Sequence, residues 1–333
     1  MKHSQVNILI GTACDMNCPY CLQHDGRSLA DRKADPEEFA AKLAAYLGGV
    51  SPAKIMLWGG EPMLYWPRIK RLHQALLANG IRAQKGRCIF TTHGRRLTDE
   101  YVDYANAHGD LWTTVSYHNG GFTDEQTDRI FRLERFSLSF IVSHCRTDLW
   151  ELRDLYWKLK ERYGGNPRLC AHFVRANDSC GADWYMTKDD CDRFCEHIER
   201  EVFPMAAYGD EWARWQCSQL LYERNRYIDQ PEGAMCVRPD RLSVDLHGNV
   251  YECHHDFSAE NVVGNIFRQR PGVIPIRAER PDPFRFWKKC RGCPDDVRLY
   301  CRGGCYLSNT HEIDCYFARK RGAVYRKMER ILR

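Results

Sequence analysis

Short β-branched and apolar runs alternate with longer amphipathic stretches through the first two-thirds of the chain. The runs Asn7–Thr12, Lys54–Trp58, Arg87–Thr92, Leu111–Ser116, Ser137–Ser143 and Arg168–Arg175 read as strands. Between them, Asp35–Leu47, Pro67–Ala78, Thr98–Ala107, Thr123–Leu133, Asp148–Tyr163 and Thr187–Val202 carry helical patterns. Their ends support the assignment. Asp35 can cap the first helix with Pro36 in its first turn, and Gly48-Gly49 stops it. Thr98 and Thr187 are each followed by acids, which suit the positive end of a helix dipole. Strands that alternate with helices pair in parallel, because parallel neighbours need a crossover. Such a sheet either twists open or curls into a barrel, with functional groups on loops at the carboxyl ends of its strands.

Beyond about Met205 the alternation stops. Tyr208–Tyr227 has a helical pattern, Leu242–Leu246 and Val250–Cys253 flank a turn at His247-Gly248-Asn249, and Arg270–Pro283 is a proline-rich connector. The chain has 333 residues, enough for two domains. The expected division is residues 1–205 as the strand–helix core and 206–235 as a bridge. Residues 236–318 then form a small cysteine-rich domain, and 319–333 a basic C-terminal helix. Apolar residues make up 44% of the chain, which excludes wholesale disorder. No apolar run is long enough to span a bilayer and no signal-peptide core opens the chain, so a cytoplasmic protein without membrane association is expected. The net charge of +5 selects no class of partner, and nothing resembles an RNA-recognition signature, so no nucleic acid is expected.

The 17 cysteines change the picture. In a reducing compartment they point to metal rather than disulfides. Cys14-Asp15-Met16-Asn17-Cys18-Pro19-Tyr20-Cys21 reads C-x3-C-x2-C, on the loop after the first strand. Three thiolates can hold three irons of a four-iron cluster and leave the fourth iron open to an outside ligand. A zinc knuckle is the alternative, with His24 completing a closed site.

At this spacing, and with Gly59-Gly60-Glu61-Pro62 after the second strand, the sequence resembles the radical S-adenosylmethionine (SAM) superfamily over roughly residues 5–205. The resemblance implies an α/β fold, a partial (β/α)6 TIM-like barrel with a small C-terminal cysteine-rich iron–sulfur domain. It implies that Cys14, Cys18 and Cys21 hold a [4Fe-4S] cluster whose open iron is chelated by the methionine end of S-adenosyl-L-methionine. Glu61 would accept hydrogen bonds from the methionine amine, Gly59 and Gly60 would let the backbone approach it, and Tyr20 would lie near the adenine. Thr92 and Ser116 stand where relatives contact the cofactor. Two segments depart from the family pattern. Its usual Thr-Asn-Gly is Thr92-His93-Gly94, and its Ser-x-Asp-Gly is Ser116-Tyr117-His118-Asn119-Gly120. His93 and His118 are therefore catalytic candidates facing substrate, or rim histidines without a catalytic role.

The later cysteines run Cys236, Cys253, Cys290-x2-Cys293-x7-Cys301-x3-Cys305 and Cys315. Read alone, they satisfy two four-cysteine metal sites, and zinc ribbons are one assignment. Their order resembles the SPASM extension that follows some radical SAM domains, although its x7 gap exceeds the usual five. The resemblance implies two auxiliary iron–sulfur clusters, [4Fe-4S] in type. Cys290, Cys293, Cys301 and Cys315 would hold one; Cys236, Cys253 and Cys305 the other, with Cys217 as its candidate fourth ligand. Cys88, Cys145, Cys170, Cys191 and Cys195 read as packing residues. Cys180 is the candidate hydrogen donor to a substrate radical.

The resemblance implies an enzyme that reductively cleaves S-adenosylmethionine to a 5′-deoxyadenosyl radical and abstracts hydrogen from substrate. A ribosomal peptide or protein side chain is the expected substrate, with cross-linking as the outcome. Formylglycine formation of the anaerobic sulfatase-maturase type is one alternative, and epimerisation or dehydrogenation of a sugar or small metabolite another. A zinc-binding regulatory protein is the non-enzymatic alternative. Expected partners are an electron donor such as flavodoxin or ferredoxin, and a separate leader-binding protein, since the first strand begins near residue 5.

Overall fold

The computed structural model describes residues 3–21, 34–118, 120–144, 146–174, 184–228, 240–251, 253–254, 257, 259–269, 293 and 311–332. Its strands are β1 (Gln5–Leu9), β2 (Lys54–Trp58), β3 (Cys88–Thr92), β4 (Leu111–Tyr117), β5 (Phe136–Val142), β6 (Leu169–Phe173), β7 (Arg241–Asp245), β8 (Asn249–Tyr251) and β9 (Val262–Asn265). They follow the order β6-β5-β4-β3-β2-β1-β7-β8-β9 in one mostly parallel sheet, in keeping with a partial TIM-like barrel. Described helices are α1 (Pro36–Leu47), α2 (Trp66–Ala78), α3 (Asp99–Ala107), α4 (Asp124–Phe131), α5 (Trp150–Tyr163), α6 (Lys188–His197), α7 (Phe203–Ala207), α8 (Glu211–Ile228) and α9 (His311–Leu332). The chain divides into two compact units, Met1–Ser139 with Cys236–Arg280, and Phe140–Met235 with Pro281–Arg333.

In the first unit, β1 lies between β2 and β7, parallel to both, and all five of its residues are buried. Val6 and Ile8 are fully covered, each contributing roughly 1.5–3 kcal/mol of apolar burial. The alternate face carries buried polar groups that satisfy one another. Gln5 Nε2 donates to Asn7 Oδ1 at 2.6 Å, and Asn7 Nδ2 donates to Ser243 Oγ on β7 at 3.1 Å. The helix signals act as expected. Asp35 accepts from the backbone of Glu37 and Glu38, Thr98 accepts from Tyr101 N, and Thr123 forms a capping box with Gln126.

Two features of this unit were not expected. The hairpin β7–β8 extends the central sheet through the β1–β7 pairing, and β9 adds to it antiparallel to β8. His73 on α2 joins two elements from within the core. Its Nδ1 lies 2.8 Å from Tyr104 Oη, and its Nε2 lies 3.1 Å from Asp110 Oδ2. Burial pushes the Asp110 carboxyl up, but the His73 hydrogen bond and charge outweigh it and hold the group below the usual carboxylate range.

In the second unit, Phe173, Phe194 and Phe317 meet edge-on, with ring centroids 5.0–5.8 Å apart. The Arg321 guanidinium lies 4.2 Å from the Phe317 ring centroid. This cluster docks α9, the expected basic helix, whose bounds reach back to His311. Lys320 pairs with Asp192 at 2.8 Å and Lys327 with Glu199, so part of the helix's charge is matched within this unit. The helical pattern of Thr187–Val202 is interrupted: α6 ends at His197 and a wider π turn spans Ile198–Val202. Pro204 lacks the N–H that an α-helix would aim at the Arg200 carbonyl, and the turn widens just ahead of it. Among the described residues, no helix is long and apolar enough to cross a membrane.

Candidate active site

The loop after β1, the loop after β2 and the loop after β3 meet within the first unit. The first carries Cys14, Cys18 and Cys21, all half-buried and none in a disulfide. It is held from below by Tyr65, whose hydroxyl accepts from Ala13 N at 2.8 Å. The second loop presses directly on the first, with Glu61 N donating to Ala13 O at 2.9 Å. That approach is what the two glycines permit. At Gly60, φ is +42° and a Cβ would stand 2.1 Å from Ala13 O; at Gly59, φ is +116° and a Cβ would stand 2.3 Å from Gly11 O. Within the chain itself, then, the Gly-Gly pair admits the cysteine loop.

Glu61 is 1% exposed and is the hub of the site. Its Oε1 accepts from Met63 N at 2.9 Å and from Thr92 Oγ1 at 2.6 Å. Its Oε2 accepts from His93 N at 2.9 Å, and His93 Nε2 stands 3.2 Å away. Thr92 thus touches Glu61 directly and is held by Gly94 N, which donates to its hydroxyl at 3.0 Å. These three bonds fix the buried carboxylate in place and leave about one of its roughly four acceptor sites, on Oε2, for a cation.

His93, expected to face substrate or to lie at a rim, is buried beside Glu61. It is 6% exposed, and both ring nitrogens are engaged within the protein. Nδ1 accepts from Arg95 N at 3.1 Å, and Nε2 lies 2.9 Å from Asp15 Oδ1. Arg96 Nε donates to the other oxygen of Asp15 at 2.5 Å. Burial pushes the Asp15 carboxyl up, yet the hydrogen bonds from His93 and Arg96 bring it below its ordinary value. The Cys14 thiol is pushed up by burial, opposed by the Met16 N–H and reinforced by the nearby charges of Glu61 and Asp15. His118, after β4, lies with its Nδ1 2.6 Å from Tyr20 Oη and 4.0 Å from Cys18 Sγ. The Tyr20 and His118 rings are nearly parallel, with centroids 6.0 Å apart. Ser116 is half-buried near the carboxyl end of β4.

The donor chemistry fits an iron–sulfur cluster at this loop. Three thiols follow one strand at short spacing, beside a buried anionic acceptor that could receive an ammonium group. Asp15, Tyr65 and Arg96 belong to the site although no motif assigns them a role. Asp15 alone had a signal, its place next to Cys14.

The remaining expected residues lie elsewhere or outside the description. Cys253 is buried in the first unit; Cys217 is buried on α8 in the second, where burial pushes its thiol up to about 12. Cys293 and Cys315 are half-buried in the second unit. Cys88, Cys191 and Cys195 are buried, consistent with packing roles, and Cys170 Sγ lies 3.6 Å from Gln219 Oε1. His24, Asn119, Cys145, Cys180, Cys236, Cys290, Cys301 and Cys305 lie outside the described residues.

Comparison with known proteins agrees with this geometry. Residues 8–135 match the model of the Radical SAM superfamily. A GTP 3′,8-cyclase from Chlorobaculum tepidum is 39% identical over 67 residues, a match that covers 20% of this chain and 19% of that relative. Among solved structures, anSMEcpe with bound AdoMet and a Cp18Cys peptide superposes with a TM-score of 0.70. The sequences are 14% identical, and the alignment covers 98% of each chain. SuiB of Streptococcus suis bound to its precursor peptide SuiA gives a TM-score of 0.62 at 15% identity, covering 92% of this chain and 72% of SuiB. At these identities the likeness is one of fold.

Proposed function

We propose, from the radical SAM domain that residues 8–135 match, that this chain is an enzyme of radical chemistry acting on a peptide or protein side chain. The observation that carries the proposal is the bonding of the cysteine loop to Glu61 through Ala13, which brings three thiols and a buried carboxylate into one site. Cys14, Cys18 and Cys21 would hold the cluster, and Glu61 the methionine ammonium of S-adenosylmethionine. When bound, the cluster supplies one electron to the sulfonium, giving methionine and a 5′-deoxyadenosyl radical that takes hydrogen from substrate. The chain's own part is to fix Glu61 through Thr92 and His93 and to keep that acceptor out of bulk water.

A peptide substrate is supported by the two neighbours of like fold, whose structures hold peptides. Loss of one hydrogen atom, one electron and one proton from a side chain oxidises it by two electrons. Cross-linking of side chains and conversion of a Cys or Ser to formylglycine are the two proposed outcomes, with equal support. The cysteines Cys236, Cys253, Cys290, Cys293, Cys301, Cys305 and Cys315, with Cys217, are proposed as ligands of two auxiliary clusters that accept the substrate electron. Flavodoxin or ferredoxin is the proposed reductant. A separate leader-binding protein is a proposed partner, and Cys180 and His118 remain proposed for proton or hydrogen transfer.

Hydrogen transfer from substrate tests this reading. The reduced, cluster-loaded protein is incubated with S-adenosylmethionine and either a deuterated peptide digest or deuterated sugars. Deuterium in 5′-deoxyadenosine from the peptide digest alone is the expected result. Deuterium from the sugars alone would move the enzyme to small-metabolite chemistry, and no 5′-deoxyadenosine at all would contradict the radical reading.

A further inference from the structure

His93 stands where the resembled family usually has asparagine, and its geometry is more specific than a neutral replacement requires. A backbone N–H can only donate, so the Arg95 N–H contact leaves Nδ1 as an acceptor and puts the ring proton on Nε2. That single proton is directed at Asp15 Oδ1, 2.9 Å away, while Glu61 Oε2 stands 3.2 Å from the same nitrogen. The backbone N–H of the same residue donates to Glu61 Oε2 at 2.9 Å. Asp15 follows Cys14 directly, and Arg96, three residues beyond His93, grips its second oxygen. The loop after β3 therefore holds the cysteine loop with one set of groups and the Glu61 carboxylate with another.

We propose that His93 is a positioning residue that couples the cysteine loop to Glu61, so that S-adenosylmethionine binds tightly only when the His93 ring holds Asp15 while the His93 backbone holds Glu61. The proposal rests on the assignment of Cys14, Cys18, Cys21 and Glu61 to the cluster and cofactor, and it adds the residue that ties the two halves together. His93 donates its ring N–H to Asp15 and its backbone N–H to Glu61 Oε2, so one residue ties the two carboxylates together and fixes the side of Glu61 that remains open to an ammonium group. Asparagine lacks the reach to accept from Arg95 N while donating across to Asp15. The imidazole does both because its Nε2 lies one atom farther from the backbone than an asparagine amide, on the same rigid ring as Nδ1.

The test uses the full-length, cluster-loaded protein. S-adenosylmethionine affinity is measured by calorimetry per loaded cluster, and the electron paramagnetic resonance spectrum of the reduced protein is recorded with and without S-adenosylmethionine. His93→Ala is expected to weaken binding at least tenfold and to diminish the spectral change on addition, while the spectrum without S-adenosylmethionine stays near wild type. His93→Gln, which returns an N–H near the Nε2 position, is expected to recover binding to within about threefold. Asp15→Ala is expected to weaken binding as well, and the double variant to be no weaker than the worse single one, because both changes break one linkage. If His93→Ala loads poorly, the Asp15→Ala and His93→Gln measurements decide the question alone. Unchanged affinity in the His93 and Asp15 variants, or fully additive losses, would overturn the coupling and leave the cofactor assignment intact. Wild-type protein that neither binds S-adenosylmethionine nor changes its spectrum would overturn the cofactor assignment itself, and the coupling with it.

Discussion

At the scale of single residues, the site depends on contacts that tolerate little change. Gly60→Ala places a methyl 2.1 Å from Ala13 O at a φ of +42° and must displace one loop from the other. The expected result is loss of the N-terminal cluster, read as a fall of about four irons per chain with the fold retained by circular dichroism. Thr92→Val keeps the shape but removes the hydroxyl donor to buried Glu61. A hydrogen bond to a charged group is worth roughly 1.5–3 kcal/mol, so S-adenosylmethionine binding should weaken by about tenfold or more in calorimetry. Much at this scale was legible: the cysteine spacing and Gly-Gly-Glu-Pro named four of the central side chains. Tyr65 and Arg96 were not, because Tyr65 meets Ala13 and Arg96 meets Asp15 across long sequence separations that leave no local pattern; Asp15 had only its place next to Cys14. His93 was legible as a departure from the family motif but not in its role, which depends on what each ring nitrogen touches.

At the scale of elements, caps and buried pairs hold the loops' supports in place. Thr98 accepts from Tyr101 N at 3.2 Å, and Thr98→Ala should cost about 1 kcal/mol in denaturant unfolding while leaving the site's spectra unchanged. The Asp110 carboxyl, held low by His73 against the effect of burial, gives a pH dependence of definite sign. Its folded value lies below its unfolded one, so its contribution is present above about pH 4 and is lost as pH falls further. Between pH 5 and pH 3, unfolding free energy should therefore fall more steeply in the wild type than in Asp110→Asn; equal slopes would contradict the His73–Asp110 account. The six strand–helix units could be read from alternation and capping because those signals are local. Pairing of β7 with β1 could not, since a short strand 236 residues from its partner bears no mark of which neighbour it joins. The π turn at Ile198–Val202 was hidden for a related reason: the apolar spacing persists through it, and only Pro204 hints at the change.

At the scale of the whole molecule, the three proposed clusters would take most of the 17 cysteines. The match of residues 8–135 to the Radical SAM model was legible because one loop and one turn carry it in a few consecutive residues. The later cysteines were legible only as an order of spacings. Their proposed grouping into two clusters depends on approaches that no spacing states. Three four-iron clusters correspond to about 12 irons per chain after anaerobic reconstitution, and zinc in their place would give colourless protein. The most direct measurement of the central claim is 5′-deoxyadenosine formation from S-adenosylmethionine under reducing, anaerobic conditions, with iron counted in the same samples. The wild type should cleave S-adenosylmethionine, and a Cys14/Cys18/Cys21→Ala triple variant should retain about eight irons and produce no 5′-deoxyadenosine. Cleavage that survives in the triple variant would contradict the assignment of the cysteine loop.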